Sequence, residues 1–422
     1  MLKGKKLLIG VFAALVSAGA AFSAPVTIDY WGGWTGPDLD TMKSIVDKYN
    51  ASQSNVQVNF QSLQWTPLFS KFLMEMKGGN PPDILAMHPF ELGNFVELGV
   101  LDANIVKKLG LTKDEFVDIG WNGSFYNGVQ YGVPLDVHMH GLFANMDLLA
   151  KAGVKSVPKT GEELIAAGIK LTVDKNGKHP GEAGFDADNI VQYGLGFAQN
   201  HHTFYQFFAL MYQQNANFLT EDMSKVTIDE QKAVKALTWL QDLVLKYKIV
   251  PKGEKSPVDD FMAGKVAMFI DGPWQLGKVV TAPFKWTSNP YPRVFSNGSV
   301  WGAAEIFTFP NKGKSDPAKQ RAVADFMRWM GANSVLWAKS GQLPASKAGL
   351  EAAKDLPGRA AFIESLPNER LLPPHPMAIQ LFSASAPSPI LTMSQDLLLN
   401  GKAPIDVVRQ LEKDLDAILA QQ

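Results

Sequence analysis

The sequence predicts an α/β protein folded as two lobes. Three observations predict it. The chain has 422 residues, 46% of them hydrophobic, which is more than one core usually holds. From Val26 to Met87 it alternates between strand-period and helix-period runs, the order that builds a parallel sheet. Cysteine is absent, so the core must hold the chain without disulfides.

The N-terminus stands apart from the fold. Lys3, Lys5 and Lys6 precede an apolar run from Leu7 to Val16, and Ala21-x-Ser23 satisfies the small-x-small cleavage rule. Residues 1–23 are therefore expected to be a cleaved signal peptide. The apolar run is too short to span a bilayer, and no later run reaches the ~18 uncharged residues that spanning needs. Export without a lipid-attachment cysteine predicts a free periplasmic protein, not a lipoprotein.

The mature chain opens with Val26–Trp31 as a strand, then Gly32-Gly33-Trp34-Thr35-Gly36-Pro37 as a loop. Leu39, Met42, Ile45, Val46 and Tyr49 follow at helical spacing. Asn55–Phe60 alternates as a strand, Leu68–Lys77 reads as a helix stopped by Gly78-Gly79-Asn80-Pro81-Pro82, and Asp83–Met87 is a third strand. Ligands of such sheets bind beyond the carboxyl ends of the strands. The loops at Trp34, Gln64-Trp65 and Met87-His88-Pro89 should therefore share one edge. Farther on, Thr227-x-x-Glu230 reads as a capping box, Asp316-Pro317 caps a helix with Val323, Phe326, Met327 and Met330 facing inward, and Pro404 starts a last helix. Lys170–Asn189, rich in Asp, Asn, Gly and Lys, reads as an exposed insertion.

Composition and motifs exclude several functions. Forty basic and 41 acidic residues with no basic block argue against a nucleic-acid partner. Without cysteine there is no thiolate zinc site, iron–sulfur cluster or cysteine nucleophile. Gly272-Pro-Trp-Gln-Leu-Gly277-Lys278 fits a phosphate loop until Val279 replaces the Ser or Thr that would bind Mg²⁺. His138-x-His140 share a strand face and His201-His202 are adjacent, yet no Asp or Glu completes a metal set, so no metal is expected. Asp259-Asp260 point apart on a helix, which is no glycosidase pair. Asp186-x-Asp188-Asn189 lacks the Gly and distal Glu of a calcium loop. No catalytic constellation and no cofactor motif remain, and the chain is not expected to be an enzyme.

Four segments together resemble the extracellular solute-binding proteins of ABC importers, in particular their maltose-binding-protein-like carbohydrate group. They are Asn80-Pro-Pro-Asp83-Ile84; Tyr131-Gly-Val-Pro134-Leu135, leading into Asn145-Met-Asp147 and Thr160-x-Glu162-Glu163; Phe261-Met-Ala-Gly264-Lys265 through Gly272-Pro273-Trp274; and Gly341-Gln-Leu343-Pro344-Ala345. Their order and spacing cover nearly all of the mature chain. The resemblance implies a type II periplasmic-binding-protein fold, each lobe a mostly parallel sheet flanked by helices, closing on a ligand between them. It implies lobe one at 24–135 plus 302–346 and lobe two at 136–301 plus 347–422. It also implies a monomer that receives a sugar and delivers it to membrane permease subunits.

A sugar ring offers hydroxyls at its rim and C–H patches on its faces, so aromatic rings with amides and carboxylates are sought. Trp274 matches a family position that carries a stacking aromatic, and Tyr205 resembles another pocket aromatic at the start of a helix. Trp34, Gln64, Trp65 and His88 follow the first three strands. Asp136 and His138 lie on the first crossing between lobes. Family members have a carboxylate at the place of His138, which suggests that the acid has moved to Asp136. Asp271 precedes the Gly-Pro-Trp turn, and Trp301 lies at the second crossing. Trp239, Trp329 and Trp337 are read as helix core or subunit-contact residues. Two rivals remain: the same fold binding a glycerol-phosphate, polyamine or metal ion, and a secreted glycan-active enzyme.

Overall fold

The computed structural model describes residues 24–220, 224–314 and 316–421. The expected signal segment 1–23 lies outside the described residues. Strand β1 (Val26–Gly32) runs into helix α1 (Gly36–Ser52), then β2 (Val56–Ser62), α2 (Trp65–Gly78) and β3 (Ile84–Met87). β1 pairs in parallel with both β2 and β3, as the alternating periods predict. The inward row of α1 is Met42, Ile45, Val46 and Tyr49.

β4 (Gly132–Met139) and β5 (Gly141–Asn145) are separated by His140 alone. They belong to different sheets, so the chain passes from one sheet to the other at that residue. In lobe two, helices α3 (His201–Gln213) and α4 (Glu230–Leu245) precede β6 (Met268–Asp271) and β7 (Trp286–Pro290). β8 (Val300–Thr308) returns to the first sheet, followed by α5 (Pro317–Ala332), β9 (Leu343–Pro344), β10 (Glu369–Leu371) and α6 (Pro404–Leu419). The larger sheet has the order β9-β4-β8-β3-β1-β2, with β10 beside β8.

The α/β class and two-lobed architecture are those expected, but the strand directions are more mixed. β8 is antiparallel to both β3 and β4, and β5 is antiparallel to both β6 and β7. The reason is the return of the chain. β4 leaves the first sheet and β8 comes back beside it, so the two must run in opposite directions.

Each lobe buries its own aromatic core. In lobe one, Tyr30, Trp34, Phe307, Phe326 and Trp337 pack under α1 and α5, while Phe69, Phe72 and Phe95 fill the other face. In lobe two, Phe143 stacks on Phe269 at 4.5 Å, and Phe204, Phe207 and Phe208 of α3 are fully buried. Each such ring contributes roughly 1.5–3 kcal/mol by leaving water. Asp316 caps α5 by accepting from the Ala318 and Lys319 N–H groups, and α6 starts at Pro404. At α4 the expected capping box gives way to Asp229, which accepts from the Lys232 N–H. The aspartate lies one residue before the helix, and its short carboxylate reaches the first turn without the longer Thr227 box. In 170–189, Asp174 is the buried hub of the turn, accepting from the N–H groups of Asn176, Lys178 and Asp186.

Candidate functional site

β4 and β8 build the centre of the site. Their antiparallel register sets Glu305 opposite Asp136 and Ala303 opposite His138. Directly paired residues share a face, and side chains alternate along a strand. Asp136, His138 and, one step beyond the strand end, His140 therefore form one row against Trp301, Ala303 and Glu305. All residues of both strands are buried.

Asp136 anchors the row. Its Oδ2 accepts from the Trp337 indole N–H at 2.6 Å. Its Oδ1 accepts from the Glu305 N–H at 2.9 Å and faces His138 Nδ1 at 3.4 Å. Burial opposes ionisation of Asp136, but the hydrogen bonds from His138, Glu305 and Trp337 outweigh it and hold its pKa below the ordinary carboxylate value. Trp337 sits in a 3₁₀ turn, Ser334–Lys339, with no solvent exposure. It is a core residue as expected, yet not one on an amphipathic α-helix, and it also fixes the acid of the site.

The C-terminal loops of β1, β2 and β3 meet this row from lobe one. Trp34 packs edge-on against Trp65 at 5.7 Å, and Trp65 lies 4.5 Å from His88. His88 meets His138 edge-on at 6.4 Å. A Cβ on Gly33 would lie 1.9 Å from the Trp65 ring, so only glycine lets that indole settle on the loop. Gln64 follows β2 as expected but is exposed at the N-cap of α2, with no capping bond from its side chain.

From lobe two, Trp274 stands perpendicular to His138 at 5.4 Å. Tyr205 stacks on Trp301 with centroids 4.0 Å apart and planes 6° from parallel. The ring contacts thus run without a break from Trp34 through Trp65, His88 and His138 to Trp274, Trp301 and Tyr205. Among the described residues, no lysine ammonium placed over an aromatic ring belongs to this chain of contacts. Asp271 is buried and held by its own turn, accepting from the Gly272 N–H and the Gln275 amide, both at 2.9 Å. Burial pushes its carboxyl up to about 7.

Eight of the ten predicted residues therefore gather in or directly beside one cluster; Gln64 points to solvent, and Asp271 supports the Trp274 turn. Sequence reasoning weighed His140, His201 and His202 only as metal ligands. The structure puts them among the rings: His140 Nε2 lies 2.9 Å from His202 Nδ1, and His140 is 4.8 Å from Trp301. Among the described residues no group of three His, Asp or Glu side chains is arranged to hold a metal. Burial lowers the pKa of His140 to about 3 and that of His201 to about 4, so both are neutral near pH 7. The two-residue step from His138 to His140 was a legible signal for the first of these. Nothing local marked Trp337 or Glu305.

Several buried polar atoms along the cluster have no partner within the protein: Trp301 Nε1, His140 Nδ1 and Trp34 Nε1 are three of them. Such atoms cost about 1–3 kcal/mol each unless something pairs them. An open basin of about 610 Å³ lies at the other end of β3, where Lys312 and Lys319 both pair with Asp83. Its lining has no aromatic ring and carries five lysines against three aspartates.

Comparison with known proteins agrees with the fold. Residues 44–355 match the family model described as bacterial extracellular solute-binding protein. The diacetylchitobiose binding protein DasA of Streptomyces coelicolor is 24% identical, the alignment covering 96% of this chain and 92% of that one. A putative binding protein of Brucella abortus is 22% identical over 96% and 95% of the two chains. Among solved structures, the substrate-binding protein Lmo0181 of Listeria monocytogenes, in complex with cycloalternan, superposes with a TM-score of 0.77 at 23% identity, covering 94% of this chain and 99% of its own. The GacH receptor of Streptomyces glaucescens, solved unliganded and with acarbose, gives 0.79 at 18% identity over 94% and 99%.

Proposed function

The chain belongs to the bacterial extracellular solute-binding proteins, and from that premise we propose that it is the periplasmic carbohydrate receptor of an ABC importer. One observation carries the reading: aromatic faces from both lobes meet across the β4–β8 crossing, with unpartnered N–H groups of Trp34 and Trp301 among them. Rings bury the C–H faces of a pyranose, and the free donors meet its oxygens.

Closure follows from the same layout. We take lobe one as 24–135 plus 302–346 and lobe two as 136–301 plus 347–422. A sugar touching Trp65 and His88 on one side and Trp274 and Tyr205 on the other gains all its contacts only when the lobes are shut, so it shifts the population toward the closed state. The closed receptor would then present its load to the membrane subunits of the importer, as a monomer released from its signal peptide and without a lipid anchor. Among the described residues no helix is long and apolar enough to cross a membrane. Asp136 and Asp271 are held by hydrogen bonds of the fold, which favours binding over a pair of catalytic carboxylates. A glycerol-phosphate ligand would want lysine or arginine among the rings, which disfavours it.

The test is calorimetry of the mature protein against mono-, di- and oligosaccharides of varied linkage. Micromolar or tighter binding of at least one is expected. Failure of every sugar, with tight binding of another solute class, would overturn the reading.

A further inference from the structure

Behind the ring cluster, lobe one contains a second group of polar side chains that the reading above does not use. Asp38, in the first turn of α1, is 8% exposed, Glu305 3% and Gln342 2%. Asp38 Oδ2 accepts from the Gln342 amide at 3.2 Å. Asp38 Oδ1, Glu305 Oε2 and Gln342 Oε1 have no partner, nor have the Tyr30 hydroxyl and the Trp34 indole N–H. These groups are contiguous. Trp34 packs on Tyr30 at 5.9 Å and on Trp337 at 5.3 Å, Trp337 binds Asp136, and Asp136 binds the Glu305 N–H.

The roof of this chamber comes from lobe two. A Cβ on Gly341 would lie 2.1 Å from the Pro273 carbonyl, and one on Gly277 would lie 2.8 Å from Pro37. The turn bearing Trp274 therefore presses onto Gly341-Gln342 and onto the start of α1.

We propose that this chamber takes a protonated amine, so that the bound carbohydrate carries a basic nitrogen seated among Asp38 Oδ1, Glu305 Oε2 and Gln342 Oε1. The proposal rests on the carbohydrate reading and narrows its ligand class. Three buried acceptors of this group lack a partner, and an ammonium offers three donors where a hydroxyl offers one. Two of the acceptors are carboxylates, and a third carboxylate, Asp136, lies beside them with only His138 to balance it. Burying acids without a counter-charge is costly, and a cation arriving with the ligand removes that cost. A metal ion does not fit, because no three His, Asp or Glu side chains are arranged to coordinate one among the described residues. The Tyr30 hydroxyl and Trp34 N–H are left to donate to oxygens next to the amine. Burial and the neighbouring Asp136 charge raise the pKa of both Asp38 and Glu305 in the empty protein. Seating an ammonium should therefore displace a proton from this group, where the other titratable neighbours are Asp136, His138 and Tyr30.

The experiment compares matched pairs that differ in amine against hydroxyl: glucosamine with glucose, galactosamine with galactose, mannosamine with mannose, and chitosan with cello-oligosaccharides of two to four units. Calorimetry at pH 7.5 is run in two buffers of different ionisation enthalpy. We expect the amine member of at least one pair to bind tenfold or more tighter, with proton release that the neutral member does not show. D38N should abolish the preference while leaving neutral-sugar affinity within about threefold, and E305Q should abolish the preference as well. Equal or weaker binding of the amine in every pair, or a preference that survives both variants, would overturn the proposal. Neutral sugars that bind without any such preference defeat this inference alone, whereas a broad panel with no sugar bound defeats the carbohydrate reading itself. Should a variant fail to fold, the proton release of the unmodified protein decides.

Discussion

Tyr205 of α3 and Trp301 of β8 stack face to face at 4.0 Å, and the Trp301 indole N–H in that stack has no protein partner. The pair forms a rigid wall with one free donor. Trp301→Phe keeps the stack and removes the donor. It is expected to weaken sugar binding about tenfold, or ~1.4 kcal/mol, with the melting temperature nearly unchanged. Trp301→Ala removes the wall and should cost both, with ~3–5 kcal/mol of stability lost from a buried Trp. Calorimetry and thermal melts read the two effects apart.

Trp337 meets the ring cluster by donating to Asp136 and by packing edge-on against Trp34 at 5.3 Å. Trp337→Phe leaves the core filled but strips the Asp136 carboxylate of its 2.6 Å donor, and is expected to cost about 1–3 kcal/mol near neutral pH. Asp136 has a depressed folded pKa, so the stability it contributes is present above its unfolded value and lost as pH falls through the folded one. The penalty of the variant should accordingly shrink in acid. Urea titrations at pH 7 and pH 3 test it. A penalty independent of pH would remove Asp136 from the explanation.

Gly272 is a packing requirement of the Trp274 turn. A Cβ there would lie 1.9 Å from the Trp274 ring, so Gly272→Ala must swing the indole away from His138. Loss of sugar affinity by tenfold or more is expected, with a far smaller change in unfolding free energy because Trp274 is only partly buried. Binding that survives at full strength would show that Trp274 does not face the ligand.

Two groups give opposite pH trends. Asp271 is raised to about 7 by burial, so the folded protein holds a proton that the unfolded chain releases above ~3.9. Its contribution is full below that value and lost as pH rises toward about 7. Asp271→Asn should flatten the decline between pH 4 and 7. His140 is lowered to about 3 by burial, so its site loses stability as pH falls from ~6.5 toward 3. His140→Asn should reduce that loss. Stability measured against pH for the three proteins distinguishes the two slopes.

The first lobe was readable because its signals are local. The βαβαβ order, Asp316-Pro317 at the start of α5 and the apolar row of α6 all depend on residues a few positions apart. The loop residues Trp34, Trp65 and His88 could be placed at one edge because parallel strands put their carboxyl ends together. Gln64 passed the same test and failed it in space, since its neighbour Trp65 takes the inward position at the helix start. Asp271 was sought as a ligand residue, and the structure holds both of its oxygens within its own turn, on the Gly272 N–H and the Gln275 amide.

By itself the sequence determined the βαβαβ start, which loops follow the carboxyl ends of its strands, and which motifs the chain lacks, because periodicity, capping and composition are written in neighbouring residues. Only the tertiary structure decided that β4 and β8 run antiparallel, and with that the whole centre of the site. That one register places Asp136 against Glu305, 169 positions away, while a turn 201 positions away supplies the Trp337 donor. No local pattern encodes such pairings. They are set by the chain leaving the larger sheet at His140 and returning to it at Val300, and by the cost of burying a carboxylate that lacks a partner.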